Sequence, residues 1–436
     1  MKKRFLEVSA EAEKKQEQRF NVWIKGEGVP FVDENAQKAY RERVALMKDA
    51  IQLKQKPARI AVCPSAGFFP MQYAGITMYD AMYDYQALGR AWELYHNDLE
   101  PDAYNAPTTI VPGRVLDLLD VKLYEWPGHG VSKEREYQYV EAEYMKREEY
   151  QDLIDDPTAF FLNVYFPRIF GALKPLATFP LLPPVNEIPM VPPLAMPFGG
   201  EDMKKALETL SKAGDEALRW RAAFREIGGR IMGKGFPSFS GGFTKAPFDV
   251  IGDSLRGTKG IMLDMFRCAD ELKEACDRLV PSMVRAAVGA CTASGNPMPF
   301  IPLHKGADGF MSQEQFRDFY WPSLRKLIVG LVNEGLVPQL FAEGAYNERL
   351  EAISDIPKGK VVWWFDRTDM KKAKDTVGKV ACLAGNVPLD LLCAGTPDEV
   401  RTYCQELFIL STGAGMQGAS KETVNAMMAF CKAYGK

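Results

Sequence analysis

The sequence predicts an α/β protein, a (β/α)8 barrel (TIM barrel) with a helical extension at its N-terminus. Five apolar segments in the C-terminal third each run for about five residues and end at a polar residue or glycine. They are residues 299–304, 337–343, 360–366, 379–386 and 407–413. Helix-patterned stretches separate them, and such alternation is typical of a parallel sheet that is buried on both faces.

Three earlier segments raise the number of predicted strands to eight. They are residues 58–63, residues 106–111 and the glycine-containing stretch 235–244. Residues 1–55 are charged and rich in Ala, Lys and Glu, which predicts one or two helices outside the barrel. We therefore divide the chain into a helical extension, 1–55, and a barrel, 56–436.

The stretch between the second and third strands is expected to be largely helical. Residues 132–172 have a helical pattern with a break at Asp156 before Pro157, and a further helix is predicted over 201–231. Residues 174–200 are rich in proline, which argues against a regular element there. This segment is either a surface connection or a wall beside the pocket.

Composition excludes several classes of function. The net charge of -3 is not that of a nucleic-acid-binding protein, which needs a concentrated basic face. No apolar run approaches the roughly 18 residues that a membrane span requires, so we expect no membrane association. The eight cysteines are scattered without a CxxC pair, which predicts free thiols and a cytoplasmic protein.

Several motifs resemble the uroporphyrinogen decarboxylase superfamily over roughly residues 58–436. They are Ser-Gly-Gly-Phe-Thr-Lys-Ala-Pro at 240–247, Met-Ser-Gln-Glu-Gln-Phe at 311–316, Glu-Gly at 343–344, Gly-Asn-Val-Pro at 385–388 and Gly-Ala-Gly at 413–415. The resemblance implies a (β/α)8 barrel, in agreement with the strand count. It also offers two chemistries, a metal-free haem-pathway decarboxylase and zinc methyltransferases that exchange a methyl group with a corrinoid protein.

The sequence departs from both branches of the family. The decarboxylase holds its tetrapyrrole with an Arg-Gln-Ala-Gly-Arg motif, whereas the matching loop here, residues 67–75, has no arginine. The methyltransferases bind zinc through a His-x-Cys pair and a later cysteine. Those positions are occupied here by Phe341-Ala342-Glu343 and by Ala414. Soft thiolate ligands are therefore missing from the positions that the family uses.

Polar residues at the predicted strand ends are the candidates for chemistry, because the C-terminal face of such barrels carries the active site. We predict that His304, Glu343 and Asp366 are catalytic and that His304, Glu343 and Cys382 bind zinc. Each has a structural alternative: a core histidine, a salt-bridged glutamate, a helix cap at Asp366, and simple packing of Cys382. For the helix near Met370, Asp369 is the better cap.

Substrate contacts are predicted from aromatic and polar loop residues. The predicted set is Phe68, Phe69, Phe310, Tyr346 and Asn386. The aromatic members would line a flat apolar pocket, or cover the face of a corrinoid.

The resemblance and these residues lead to one main hypothesis. We expect a corrinoid-dependent methyltransferase component that moves a methyl group between a small methoxylated or methylated molecule and a corrinoid protein, with zinc as a Lewis acid. The corrinoid would come from the partner, because this chain has no Asp-x-His-x-x-Gly motif. We also expect that the chain can form a homodimer. A metal-free decarboxylase or lyase acting on a carboxylated molecule is the alternative, and a non-catalytic tetrapyrrole or corrinoid carrier is a third class.

Overall fold

A parallel sheet forms the centre of the molecule and curves into a (β/α)8 barrel. The computed structural model describes residues 5, 7–179, 187–404, 411–413 and 415–433. Five strands pair in the order of the chain, all parallel, and they are Gly242–Phe243, Pro299–Leu303, Gln339–Ala342, Val362–Phe365 and Cys382–Ala384. Four of these five strands lie within the apolar segments near the C-terminus, and the fifth lies within 235–244, as predicted.

Single bridges continue the barrel beyond both edges of this sheet. Ser238 bridges to Tyr104 and Val387 bridges to Thr412, in both cases in parallel orientation. The amide of Asp102 donates to the carbonyl of Val62 at 2.8 Å, which joins the first predicted strand, 58–63, to residues that precede the predicted second strand, 106–111. Of the predicted last strand, 407–413, only residues 411–413 lie within the described part of the chain.

Helices surround the sheet. The longer ones are Ala12–Lys25, Glu34–Gln52, Tyr85–Leu99, Glu201–Gly233, Gly257–Arg267, Ala269–Ser294, Trp321–Asn333 and Lys421–Ala433. The shorter ones are Phe69–Ala74, Met78–Tyr83, Gly113–Leu119, Tyr150–Asp155, Pro157–Phe160, Phe166–Ile169, Val191–Ala195, Pro247–Asp249, Gln313–Gln315, Leu350–Ile353, Met370–Asp375, Leu389–Ala394 and Pro397–Cys404. 3₁₀-helical turns occur at Arg147–Glu149, Gly171–Thr178, Ile188–Met190, Met196–Gly199 and Val377–Lys379. π-helical turns occur at Phe161–Tyr165, Val250–Leu255 and Phe316–Tyr320. None of these described helices combines the length and apolarity that crossing a bilayer requires.

The two helices of the N-terminal extension close the end of the barrel at which the strands begin. Phe20 and Val44, from these helices, are fully buried. They belong to one hydrophobic cluster with Met298, Val362 and Cys382, which lie at or just before the starts of three strands. The opposite end of the barrel, where the strands terminate, is therefore the end that can receive a ligand.

Three predictions over residues 106–200 need correction. Residues 106–111 form tight turns, in which Thr108 donates to Ala106 and Ile110 donates to Pro107, and not a strand. The helix predicted from 132 starts only at 147, because Gln138–Tyr139 pairs in antiparallel orientation with Tyr124–Pro127. The proline-rich stretch forms short helical turns over residues 188–199. Proline stands at the start of each turn, where the backbone N–H that it lacks would have no partner within the helix.

Candidate active site

His304 lies at the mouth of the barrel, immediately after the strand Pro299–Leu303. Its ring nitrogen Nδ1 lies 2.6 Å from Oδ2 of Asp253, and its other ring nitrogen, Nε2, lies 3.5 Å from Oε2 of Glu343. The side chain of His304 is 38% exposed and that of Glu343 is 53% exposed. One nitrogen of the ring is thus held by Asp253, while the other lies beside the exposed carboxylate of Glu343.

Asp249 fixes the backbone on which His304 stands. This carboxylate is fully buried. Its Oδ2 accepts from the amide of His304 at 2.9 Å and from the hydroxyl of Tyr320 at 2.8 Å, and its Oδ1 accepts from the amide of Lys305 at 3.0 Å. A buried carboxylate with three donors is a stable arrangement, because each of its interactions would otherwise leave an unpaired polar group. The turn after the strand is therefore rigid.

Asp253 lies one helical turn after Asp249 and binds three cationic side chains. Lys245 Nζ lies 2.5 Å and Lys305 Nζ 3.0 Å from its oxygens, in addition to the His304 ring. The short helix Pro247–Asp249 carries Asp249, and the π-helical turn Val250–Leu255 that follows it carries Asp253. Single π-helical turns of this kind are frequent at functional sites.

These contacts set the protonation of the histidine. Burial opposes the charged ring, but the hydrogen bond to Asp253 and the charges of Asp249 and Asp253 outweigh it, so the pKa of His304 is raised. Burial also disfavours the Asp253 carboxylate, yet its bonds to His304 and Lys245 hold its pKa well below the usual range. Burial, followed by the charge of Asp253, raises the pKa of Asp249. Since Asp253 stays ionised it can only accept, and His304 Nδ1 carries a hydrogen.

Asp366 also lies at the mouth, beside Glu343. Its Oδ2 accepts from the amide of Gly344 at 3.0 Å. The helix Met370–Asp375 is capped by Asp369, whose side chain accepts from the amides of residues 371 and 372. The structural alternative of Asp366 as a helix cap is therefore excluded, as the sequence suggested. Asp366 instead shapes the turn that carries Glu343.

Cys382 is at the other end of the barrel, and the predicted zinc ligands do not come together. Cys382 is in register with Val362, which in turn pairs with Gln339, four residues before Glu343. At ~3.3 Å per residue this separates Cys382 from Glu343 by roughly 13 Å along the sheet. Burial raises the pKa of the Cys382 thiol to about 12, which disfavours the thiolate that a metal needs.

The remaining side chains do not supply a substitute for the missing ligand. Among the described residues, no group of three or more His, Cys, Asp and Glu side chains is arranged to hold a metal ion. Ala414, which stands at the position of the family's later cysteine, lies outside the described residues. The residues present thus do not fit the expected zinc site.

The five predicted substrate contacts fall into two groups. Phe68 and Phe310 are partly exposed, and Lys305 Nζ lies 5.2 Å from the centre of the Phe310 ring. The other three are buried, each for a local reason. Phe69 packs edge-on against Tyr95, the Tyr346 side chain has no exposure, and Asn386 bonds to the carbonyl of residue 368 and to the Tyr403 hydroxyl.

An aromatic wall, consisting of Phe68, Tyr124, Tyr137 and Tyr139, connects one of the predicted residues to the histidine. Phe68 packs edge-on against Tyr137, with the ring centres 6.0 Å apart. Tyr124 lies 5.3 Å from Tyr137 and 5.4 Å from Tyr139, and the hydroxyl of Tyr139 donates to the backbone carbonyl of Asp253. All four rings are partly exposed. The wall gives the mouth an apolar side beside its charged groups.

Sequence reasoning missed the residues that hold His304. Lys245 lies within the motif at 240–247 and could have been singled out there, with Asp249 and Asp253 following at a spacing of four. Tyr137 and Tyr139 alternate with a period of two, which is a strand signal. The helix predicted over 132–172 is therefore wrong at these two residues.

Comparisons with known proteins agree with this architecture. Residues 237–434 match the family model described as uroporphyrinogen decarboxylase. A solved structure, a methyltransferase from Methanosarcina mazei, superposes with a TM-score of 0.57 and covers 91% of this chain and 98% of its own chain. The two sequences are 16% identical, so the likeness shows the shared fold. None of the curated protein sequences matches this chain.

Proposed function

We propose that this protein is a corrinoid-dependent methyltransferase, and the match of residues 237–434 to the uroporphyrinogen decarboxylase family model supports the proposal. It moves a methyl group between a small methylated or methoxylated molecule and a corrinoid held by a separate protein. The observation that carries the proposal is the partly exposed His304 ring at the barrel mouth, with Nδ1 fixed by Asp253 and Nε2 3.5 Å from Glu343. The reaction class of the Methanosarcina mazei methyltransferase, which shares the fold, supports the choice.

His304 acts as a general acid on the leaving heteroatom. With a methoxylated substrate, the carbon–oxygen bond breaks with both electrons on oxygen, and the Nε2 proton of His304 passes to that oxygen. A reduced corrinoid supplies the nucleophile that takes the methyl group. Asp253 stabilises the charged ring before the transfer and keeps its Nδ1 hydrogen in place afterwards.

The rest of the mouth binds and orients the substrate. The aromatic wall offers flat apolar faces for a ring or for methyl groups. Glu343, with its oxygen 3.5 Å from His304 Nε2, accepts a hydrogen bond from a substrate donor next to the leaving atom. No step is assigned to zinc, because the expected ligands are not brought together.

The experiment that tests this function measures methylation of free cob(I)alamin under anaerobic conditions. The probes are 2-methoxyphenol, methanol and trimethylamine, and loss of the cob(I)alamin absorption is followed with each. We expect the unmodified protein to demethylate at least one of these donors. His304→Ala should demethylate none of them. If no donor reacts with the unmodified protein, the methyltransferase function is not supported.

A metal-free lyase or decarboxylase is a second candidate, favoured by one observation. His304, Lys245 and Lys305 converge on Asp253, so acid–base groups are already assembled there without metal ligands. The arginine-free loop 67–75 still argues against the haem-pathway substrate. Release of carbon dioxide from a carboxylated aromatic probe, with no methylation of cob(I)alamin, would favour this candidate over the first.

A further inference from the structure

Four aromatic side chains face the inside of the barrel below the candidate active site. These inner rings are Phe243, Phe300, Phe341 and Trp364. The last three come from successive strands, and their ring centres lie between 4.7 and 6.2 Å apart. The rings of Phe300 and Trp364 meet although one strand lies between theirs. Side chains converge in this way on the concave side of a curved sheet, which is the inside of the barrel.

Phe243 is the inner ring that solvent reaches. It pairs in register with Phe300, and the two ring centres lie 6.4 Å apart. The neighbouring residue, Gly242, faces the other way, because a Cβ there would lie 3.0 Å from the Cβ of Ala290 in the outer helix Ala269–Ser294. Phe243 therefore points inward, yet it is 61% exposed. Such exposure at an inward-facing position means that the barrel interior beside Phe243 is open.

The two inner rings below the carboxylates are covered. Phe341 precedes Glu343 by two residues, so it lies on the same face and roughly 7 Å deeper. Trp364 has the same relation to Asp366. Phe341 is 9% exposed and Trp364 is 4% exposed. The indole nitrogen of Trp364 donates to the carbonyl of Thr412 at 2.9 Å, which fixes its ring. These two rings form a closed floor.

The two accessible inner rings lie below nitrogen donors instead. Phe243 precedes Lys245 by two residues, and Phe300, which is partly exposed, precedes His304 by four. Lys245 Nζ lies 2.5 Å from Asp253, the same carboxylate that holds the His304 ring. The open part of the interior thus offers flat apolar faces at depth and N–H groups at its upper end.

We infer that the barrel interior binds a small molecule with an aromatic ring and an oxygen substituent, a phenol or an aryl ether. The ring packs against Phe243 and Phe300, since aromatic pairs have favourable offset or edge-on geometries. The oxygen accepts from His304. A one-carbon alcohol is too short to contact both, because Phe300 lies roughly 13 Å from His304 along the strand. That this molecule is the substrate rests on the proposed function, whereas its binding rests on the rings.

The charges near the accessible rings favour an oxygen substituent over an ammonium group. Aromatic faces also attract ammonium ions, so the rings alone do not decide between the two ligands. The accessible faces, however, lie on the side of Lys245 and His304, and cationic neighbours repel a cation. The faces below Glu343 and Asp366, where an ammonium ion would be attracted, are the covered ones.

Isothermal titration calorimetry with two matched probes tests the class of ligand. 2-Methoxyphenol carries the aromatic ring, and 2-methoxycyclohexanol is its saturated counterpart with the same substituents. We expect the unmodified protein to bind 2-methoxyphenol at least about fivefold more tightly. Phe243→Leu, which removes the accessible ring, should raise the Kd of 2-methoxyphenol by about threefold to tenfold. Phe243→Tyr retains the ring, and Phe266→Leu changes a phenylalanine that is 77% exposed on an outer helix, so both should stay within about twofold.

Three results would overturn the inference. They are equal Kd values for the two probes, no binding of 2-methoxyphenol to the unmodified protein, and an unchanged Kd in Phe243→Leu. Tetramethylammonium is the third probe, and tighter binding of this ion that Phe243→Leu weakens would assign the interior to an ammonium ligand instead.

Binding and turnover separate this inference from the proposed function. Ring-dependent binding of 2-methoxyphenol, without methylation of cob(I)alamin by any donor, would uphold the ligand class and contradict the methyltransferase. Methylation of cob(I)alamin by methanol or trimethylamine, without ring-dependent binding, would do the reverse.

Discussion

His304 and Asp253 are 51 residues apart in the sequence, yet Nδ1 of the one lies 2.6 Å from Oδ2 of the other. Asp253 also binds two lysines, so its charge is balanced by more than one cation. The pair combines a partly exposed proton donor at the mouth with a largely buried carboxylate that stabilises its charge. This relationship gives the histidine a defined tautomer and a raised pKa, which a general acid at neutral pH requires.

The first prediction concerns the two side chains that face the mouth. His304→Ala and Glu343→Gln should each lower methylation of free cob(I)alamin by about 100-fold or more, because they remove the proton donor and its partner. Both side chains are substantially exposed, and Lys245 and Lys305 still pair with Asp253 without His304, so thermal unfolding above the raised pKa of His304 should hardly change. His129→Ala is the matched control, since His129 is an exposed histidine that pairs with Asp117 outside the site. Early unfolding of both mouth variants would instead make these residues structural.

The second prediction concerns pH. A general acid works while it is protonated, so activity should be full at low pH and fall as the pH rises through the raised pKa of His304. Asp253→Asn removes the charge that raises this pKa, so the fall should begin at lower pH. The stability that the pair contributes has the same sign. It is fully present below the unfolded histidine pKa of about 6.5 and is lost as the pH rises through the folded-state pKa.

Nuclear magnetic resonance can measure this shift directly, because the chain has only three histidines. His96 is an internal reference, since burial lowers its pKa to about 4 and keeps its ring neutral through the active range. The His304 signal is identified by its absence in His304→Gln. An equal His304 pKa in the unmodified protein and in Asp253→Asn would contradict the electrostatic role of Asp253.

The sequence predicted the barrel best where its strands are buried on both faces. The observed strands Gln339–Ala342 and Val362–Phe365 lie inside the predicted segments 337–343 and 360–366. Their residues are apolar on every position but one, which leaves little room for another assignment. The second strand position of the barrel was harder to predict, because the chain there contributes a single bridge at Tyr104 and not a regular strand. The predicted segment 106–111, with Pro107 near its start and Pro112 just after it, forms turns and lies after the residues that take this place in the barrel.

The candidate site was only half accessible to sequence reasoning, for a physical reason. His304 and Glu343 follow strands directly, and strand ends of a barrel meet at one face, so their proximity could be predicted. Asp253 reaches them from a helical turn across a contact of long sequence separation, which leaves no periodic signal. The prediction for Cys382 is wrong for a different reason. An inward-facing position on a strand does not by itself tell at which end of the barrel the side chain lies.

The third prediction tests the rigid turn below His304. Asp249→Ala leaves two backbone amides and the Tyr320 hydroxyl without their acceptor in a fully buried place. We expect the free energy of unfolding to fall by about 2–4 kcal/mol. Tyr320→Phe removes only one of these bonds and should cost about 1 kcal/mol. Urea unfolding followed by circular dichroism measures both, and equal effects of the two substitutions would contradict the clamp.

The last prediction separates Cys382 from the site. The sulfur lies at the strand-start end of the barrel, in the cluster with the N-terminal helices and roughly 13 Å from Glu343 along the sheet. Cys382→Ala should therefore leave methylation of free cob(I)alamin within about twofold of the unmodified rate, while removing a packed atom lowers the unfolding free energy by about 1 kcal/mol. Cys63→Ala, at another buried thiol of the same cluster, is the matched control and should behave alike. A loss of activity in Cys382→Ala that Cys63→Ala does not share would return Cys382 to the set of functional residues.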